Sequence, residues 1–199
     1  AMKENRQFDP AAIPARGEKR PRLLLHSCCG PCSTAVLESL LPHFDVDILF
    51  FNPNIRPREE YERRAETQRE VLQKMPLSRP VGLTVCEYDP SVFEKAARGL
   101  EDEPEGGGRC LVCFRLRLSE TARRARELGY DGFATTLSVS PHKNAEALNA
   151  AGARAAEEFG IPYLPANFKK NDGYRRSVEL SRLYGLYRQN YCGCRPAEP

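Results

Sequence analysis

The sequence predicts a single α/β domain: a doubly wound, mostly parallel sheet with helices on both faces. Two observations carry this. From residue 23 onward short apolar runs alternate with longer stretches of helical period, as expected for parallel strands joined by right-handed crossovers. The chain of 199 residues, 41% apolar, suffices for one core, whereas two full-sized domains would leave both thin.

Residues 1–21 hold Pro10, Pro14, Gly17 and Pro21 among charges and show no sustained period, so they read as an N-terminal arm, partly disordered. The domain is expected over 22–195, with a tail at 196–199. Strands are expected at 23–28, 46–52, 83–88, 132–139 and 163–168. Between them helices are expected at 32–43, 57–75, 91–98, 110–128 and 144–159, with a last one at 173–188. Gly30-Pro31 stops the first strand, and Asn52-Pro53-Asn54 follows the second. Helix 57–75 carries five basic and five acidic residues with Glu–Arg pairs and reads mostly as a surface helix. Before helix 144–159, Ser140 can cap and Pro141 can fill the first turn, while His142 can serve as proton donor or anion contact. Ligands of such sheets bind outside the carboxyl ends of the strands, which directs attention to Ser27–Ser33, Asn52–Asn54 and Ser138–Lys143.

Thirty lysines and arginines against 27 aspartates and glutamates leave a net charge of +3, which excludes a polycation and a highly charged disordered chain. No run approaches the roughly 18 apolar residues of a membrane span, and the first 22 residues are too polar for a signal peptide, so a soluble, cytoplasmic protein is expected. Charge is uneven locally. Segment 109–126 has six arginines against Glu120, and 169–195 has seven basic residues against Asp172 and Glu179. Such faces attract phosphates, and Phe168, Tyr174, Tyr184, Tyr187 and Tyr191 offer stacking surfaces for an unpaired base. The competing reading is ordinary solvated helix faces over buried tyrosines.

Seven of the eight cysteines fall in close groups: Cys28, Cys29 and Cys32; Cys110 and Cys113; Cys192 and Cys194. Length and the lack of an export signal favour metal or redox chemistry over a disulfide framework. A cubane iron–sulfur cluster needs four thiolates on one concave site. Cys110 and Cys113 share a helix face near its positive end, where thiolate is stabilised. Cys28 and Cys29 would point apart in a strand, and the Gly30-Pro31 turn lets both face one cavity or serve different centres. These four are the candidate cluster ligands. Cys32, Cys192 and Cys194 are left for a second device, either a redox dithiol or a single metal ion with an open position; the glycine of Cys-Gly-Cys permits the tight backbone either one needs. Cys86 reads as a small buried hydrophobe. Zinc is the rival metal, although structural zinc pairs usually lie within roughly 15 to 20 residues of each other. Cys29-Gly30-Pro31-Cys32 also matches the thioredoxin CGPC motif. Gly106-Gly107-Gly108-Arg109 lacks a phosphate-loop lysine and reads as a mobile loop. His26 is expected to be packed in its strand and His43 to sit at a helix end.

Six segments taken together, HSCCGPCS, FFNPNIRPREEYERR, CLVCFRLRL, TTLSVSPHKN, FKKNDGYRRS and YRQNYCGC, resemble the QueH family of cobalamin-independent epoxyqueuosine reductases over nearly all of 23–195. The resemblance implies a Rossmann-like sheet related to adenine nucleotide hydrolases, a 4Fe-4S cluster with redox thiols or iron nearby, and tRNA as substrate. It implies removal of the epoxide oxygen from epoxyqueuosine at the wobble position, the last step to queuosine. By position, Cys28, Cys29, Cys110 and Cys113 would hold the cluster and Cys192 with Cys194 would be the redox pair. Cys32 stands where some relatives carry an aspartate near a mononuclear iron. The resemblance implies no cobalamin, and no ATP is expected, since the first loop lacks the SGGxDS phosphate grip of related ATP-using enzymes. An electron donor is required. His142, Lys143 and Tyr191 are the candidate proton donors, and Asn52, Asn54, Ser140, Lys169 and Lys170 the candidate substrate contacts. The rival functions are a cluster-dependent tRNA sulfur transferase, a thioredoxin-like thiol oxidoreductase and a metal-stabilised RNA-binding module.

Overall fold

The computed structural model describes residues 6–15 and 17–195. The expected tail at 196–199, and residues 1–5 and 16 of the expected arm, lie outside the described residues. Strands β1 (Arg22–His26), β2 (Asp45–Phe50), β3 (Gly82–Val85) and β4 (Gly132–Thr135) form one sheet, every pair parallel, in the order β3-β2-β1-β4. The helices are α1 (Gly30–Leu40), α2 (Arg58–Lys74), α3 (Ser91–Ala96), α4 (Gly108–Glu127), α5 (Ala145–Phe159) and α6 (Gly173–Leu183).

Strand alternation feeds two cores. Leu23, Leu25, Val46 and Ile48 pack with Val36, Leu37 and Leu40 of α1 and Val71 of α2 on one face. Leu24 and Leu49 turn to the other face and meet Phe114 and Leu118 of α4 and Leu148 of α5. Truncating a fully buried leucine such as Leu25 to alanine costs about 2–5 kcal/mol. The chain steps outward from β1 through β2 to β3, then returns to place β4 on the other side of β1. The strand order therefore reverses between β1 and β4, and a crevice opens above their carboxyl ends.

Four expectations are corrected. The fifth strand, at 163–168, is reduced to isolated bridges, Phe133 with Tyr163 and Phe8 with Ala166; Pro162 and Pro165 lack the N–H a ladder requires. The fourth strand stops at Thr135, whose Oγ1 accepts the Leu137 N–H and turns the chain into a 3-10 helix, Leu137–Val139. Gly106-Gly107-Gly108-Arg109 is not a loose loop, since Gly107 caps α4 and Gly108 and Arg109 form its first turn. Helix α5 is capped by Asn144, whose side chain accepts the Ala147 N–H at 3.0 Å, while Ser140 Oγ accepts the His142 N–H at 3.3 Å in the preceding turn. The described part of the arm is seated on the fold: Ile13 is buried in the first core and Phe8 packs against it.

Candidate active site

The first sulfur group is built by the β1–α1 turn. Cys28 follows the strand, Cys29 is the extended N-cap of α1, and Cys32 lies in its first turn. A side chain at Gly30 would put its Cβ 2.7 Å from the Thr67 carbonyl oxygen of α2, so only glycine lets α1 begin there. Buried polar groups fix the turn from beneath: Ser27 Oγ donates to Gln68 Oε1 at 2.7 Å, Gln68 Nε2 donates to Ser33 Oγ at 2.9 Å, and Asn52 Nδ2 donates to the Ser27 carbonyl at 2.8 Å. The three thiols and Gln189 line one cavity, close enough to shift one another's ionisation.

The second group projects from the start of α4, where Cys110 Sγ accepts the Gly106 N–H at 3.2 Å and Cys113 is buried. The third, Cys192-Gly193-Cys194, sits on the extended chain after α6. Helix α6 ends at Leu183, short of the expected 188, and Gly185, with φ +59°, turns the chain back. Two guanidinium groups fasten this tail by its backbone. Arg64 donates to the carbonyls of Cys192 at 2.9 Å and Tyr191 at 3.2 Å, and Arg109 donates to the carbonyl of Cys194 at 2.5 Å. Gly193, with φ +91°, lies against the Arg64 guanidinium, and its carbonyl accepts the Arg56 N–H at 2.8 Å.

All seven grouped cysteines line two adjoining cavities at the strand-order reversal. One, of about 480 Å³, holds Cys28, Cys29, Cys32 and Cys192. The other, of about 30 Å³, holds Cys110, Cys113, Cys192 and Cys194. Glu105, Arg117, His142, Lys143 and Cys192 line both. Cys86 stays apart, packed against the second core.

The electrostatics favour the anion at Cys29 and Cys192 and oppose it at Cys28, Cys32, Cys113 and Cys194. Hydrogen bonds from Cys28 and Cys32 hold the Cys29 thiol well below its ordinary range, and the Cys32 thiol rises in compensation. The Cys194 hydrogen bond, with Lys143 and Arg117 nearby, does the same for Cys192, and Cys194 rises. Burial would depress the Lys143 ammonium, but Cys192 and Cys28 outweigh it and hold its pKa up. Burial pushes the Cys113 thiol up to about 11. Arg117 is 2% exposed and pairs with no carboxylate among the described residues. Its two hydrogen bonds, to Asn52 Oδ1 and the Cys113 carbonyl, are both long at 3.4 Å, and its Nη2 has no partner. Burial opposes the Arg117 charge and the sulfurs of Cys113, Cys28 and Cys192 outweigh it, so a thiolate-held centre is the counter-charge this wall calls for. Among the described residues no three His, Cys, Asp or Glu side chains are arranged to hold a single ion. A cubane cluster makes a different demand, one thiolate for each iron, and soft sulfur lining a cationic cavity fits it.

Of the polar candidates, Ser140, His142, Lys143 and Tyr191 line the larger cavity. Asn52 and Asn54 are each 1% exposed and line neither cavity; Asn52 spans the Ser27 carbonyl and Arg117. Lys169 Nζ donates to the carbonyls of Ser140 at 3.2 Å and Lys143 at 2.5 Å, bracing their loop. Lys170 lies at a separate cavity beside Gln7 and Asn167. Tyr174 and Tyr191 reach the cysteine cavity, whereas Phe168 is buried in the core and Tyr184 packs against it. The basic segments are partly ion-paired: Arg123 and Arg124 with Glu120, and Arg176 with Glu38. Helix α2 carries the expected Glu–Arg pairs on its exposed face, Arg58–Glu62 and Arg69–Glu66, and also buries Glu60, Arg64, Thr67 and Gln68. Sequence reasoning missed Arg64, Arg109 and Arg117 as site residues. The signal for Arg117 was its place on the apolar stripe of Cys113, Phe114, Leu118, Thr121 and Ala125.

No helix among the described residues is long and apolar enough to cross a membrane. A family model described as "Epoxyqueuosine reductase QueH" matches residues 23–198. Proteins of that description from Streptococcus pyogenes serotype M1 and Staphylococcus epidermidis are 47% and 45% identical, the alignments covering 88% and 90% of this chain and 69% and 77% of those proteins. The one from Thermotoga maritima is 37% identical over 86% of this chain and 88% of its own. A solved structure described as a predicted subunit of tRNA methyltransferase from Methanocaldococcus jannaschii matches with a TM-score of 0.48 and 14% identity, over 78% of this chain and 75% of that one. The sulfur-lined crevice and the match along almost the whole domain agree, and the chain belongs to the QueH family, described as epoxyqueuosine reductases.

Proposed function

We propose that this chain is an epoxyqueuosine reductase acting on tRNA in the cytoplasm, with Cys28, Cys29, Cys110 and Cys113 holding a 4Fe-4S cluster and Cys192 with Cys194 as the redox pair. The observation that carries this reading is the convergence of seven thiols from three separate segments on one cationic crevice. Converting the epoxide to an alkene takes two electrons and two protons and releases water. When bound, the cluster supplies one-electron transfer at low potential. Cys32 lines the same cavity as Cys28 and Cys29, so it is available to a second iron beside the cluster.

The chain's own residues do the rest. Cys192 and Cys194 line one cavity and, counted as two thiols, release two electrons and two protons in closing a disulfide. Lys143 stays protonated at neutral pH and lines the crevice, so it holds a proton for the departing oxygen, with His142 and Tyr191 on the same wall. Asn52 orients the cysteine turn and Arg117. The wobble nucleotide lies in a single-stranded loop, so extruding it into the crevice costs little unpairing. A thioredoxin-like exchange is disfavoured because Cys29, the lead thiol of its CGPC motif, is 0% exposed.

The test is direct. Protein purified without oxygen, with iron and sulfide measured, is incubated with epoxyqueuosine-bearing tRNA and a chemical reductant, and the nucleosides are analysed by mass. Conversion to queuosine is expected, and Cys192→Ser should abolish it while leaving tRNA affinity within about twofold. A fully metallated preparation that leaves the epoxide intact refutes the reading.

A further inference from the structure

We propose that Arg117 is the fixed counter-charge of the thiolate-held centre, a guanidinium buried in order to be paired by sulfur. The inference rests on the cluster reading above and adds a residue to it. Arg117 lies between the cysteine groups: it lines both cavities, and its electrostatic neighbours are Cys113, Cys28 and Cys192, one from each segment. It rises from the same face of α4 as Cys113, one turn further on, so the helix that offers a sulfur also offers the cation.

An ordinary structural arginine has a carboxylate or short bonds to carbonyls. Arg64 has both, with Glu60 at 2.6 Å and two backbone carbonyls. Arg117 has neither, and its Nη2 donors are unspent. A buried charge with no carboxylate and only long hydrogen bonds is a cost to the metal-free fold. The sign reverses once thiolates and a cluster of net negative charge occupy the cavities. Reduction adds an electron there, so a nearby fixed cation favours the reduced form and raises the potential.

Wild type, Arg117→Met and Arg117→Lys are to be compared as full-length protein, metal-free after chelation and again after anaerobic reconstitution. The readouts are the thermal midpoint of each form and the cluster's midpoint potential by spectroscopic redox titration. Metal-free R117M is expected to melt at or above wild type, while loaded R117M melts below it. The potential of R117M should fall by a tenfold change in the reduction equilibrium, about 59 mV for one electron, and R117K should stay nearer wild type. R117M that melts lower in both forms, or fails to fold where R117K folds, makes Arg117 a structural tie and overturns the inference. So does a loaded R117M with unchanged potential. A wild type that takes up no iron or sulfide overturns the cluster reading itself, and this inference with it.

Discussion

Replacing Arg64 by methionine should separate what holds the last two cysteines from what holds the fold. The Arg64 guanidinium is nearly solvent-free and meets Glu60 Oε1 at 2.6 Å while donating to the carbonyls of Tyr191 and Cys192. Removing it strands the Glu60 carboxylate, which keeps only the Tyr187 hydroxyl at 3.0 Å and 3.2 Å. Breaking a buried ion pair from one side costs about 3–5 kcal/mol. At roughly 2–4 °C per kcal/mol for a chain of this size, the melting point should fall by about 6–20 °C. Glu60→Gln combined with Arg64→Met removes the stranded charge and should recover most of that loss, because the pair's desolvation penalty goes with it. It cannot restore the two bonds to the tail. Alkylation of Cys192 and Cys194 by iodoacetamide, followed by mass spectrometry, should therefore stay about tenfold faster than wild type in the double variant, the loss of one such charge-assisted anchor. A single variant that loses under about 1 kcal/mol, or a double variant that regains wild-type protection of both thiols, would refute the clamp.

Three further outcomes follow from the same structure. His26 is buried, its Nε2–H donating to the Phe51 carbonyl and its Nδ1 accepting from Thr135, and burial with the nearby Arg117 lowers its pKa to about 4. Its contribution is complete above the unfolded value near 6.5 and is lost as pH falls from there toward 4; the loss, about 3 kcal/mol in full, should appear in urea midpoints of wild type and be absent in His26→Gln. Gly30→Ala forces a Cβ to within 2.7 Å of the Thr67 carbonyl and should cost about 1–3 kcal/mol in thermal unfolding, with reduced iron uptake as Cys29 and Cys32 shift. The Cys113 thiol, pushed up to about 11, is protonated at neutral pH, so metal loading must expel its proton. Calorimetry in buffers of different ionisation enthalpy should show proton release that Cys113→Ala diminishes.

The parallel sheet was legible because its strands are apolar on both faces, a pattern tied to backbone alternation and independent of distant contacts. Element ends were less legible, being set by partners the sequence does not announce: Thr135 capturing the Leu137 N–H, or prolines 162 and 165 emptying a strand of donors. The sulfur groups declared themselves by spacing, and the fold brings them to one crevice. The arginines that serve them did not, because Arg64 and Arg109 hold the tail through backbone carbonyls 85 to 128 residues away, and Arg117 has no carboxylate among the described residues. Local charge counting assigns such residues to the surface. Their position on an apolar helical stripe is the better guide, since a long cation placed there must have a reason to be dry.

Two kinds of scaffold carry the sulfur, and the difference bears on the proposed roles. Cys28, Cys29, Cys110 and Cys113 sit at or beside the starts of α1 and α4, helices packed against the sheet. Ligands on such elements keep fixed spacing while the centre changes charge. Cys192 and Cys194 belong to a chain without helix or strand, tied through three carbonyls to Arg64 and Arg109. Those bonds fix the backbone and leave the side chains to move, as a pair that must open, close and be reduced again in each cycle requires. Exchanging the two settings should fail in both directions: a cluster ligand on the tail would tie the centre to a segment that must rearrange, and a redox pair at a helix start would be unable to turn over.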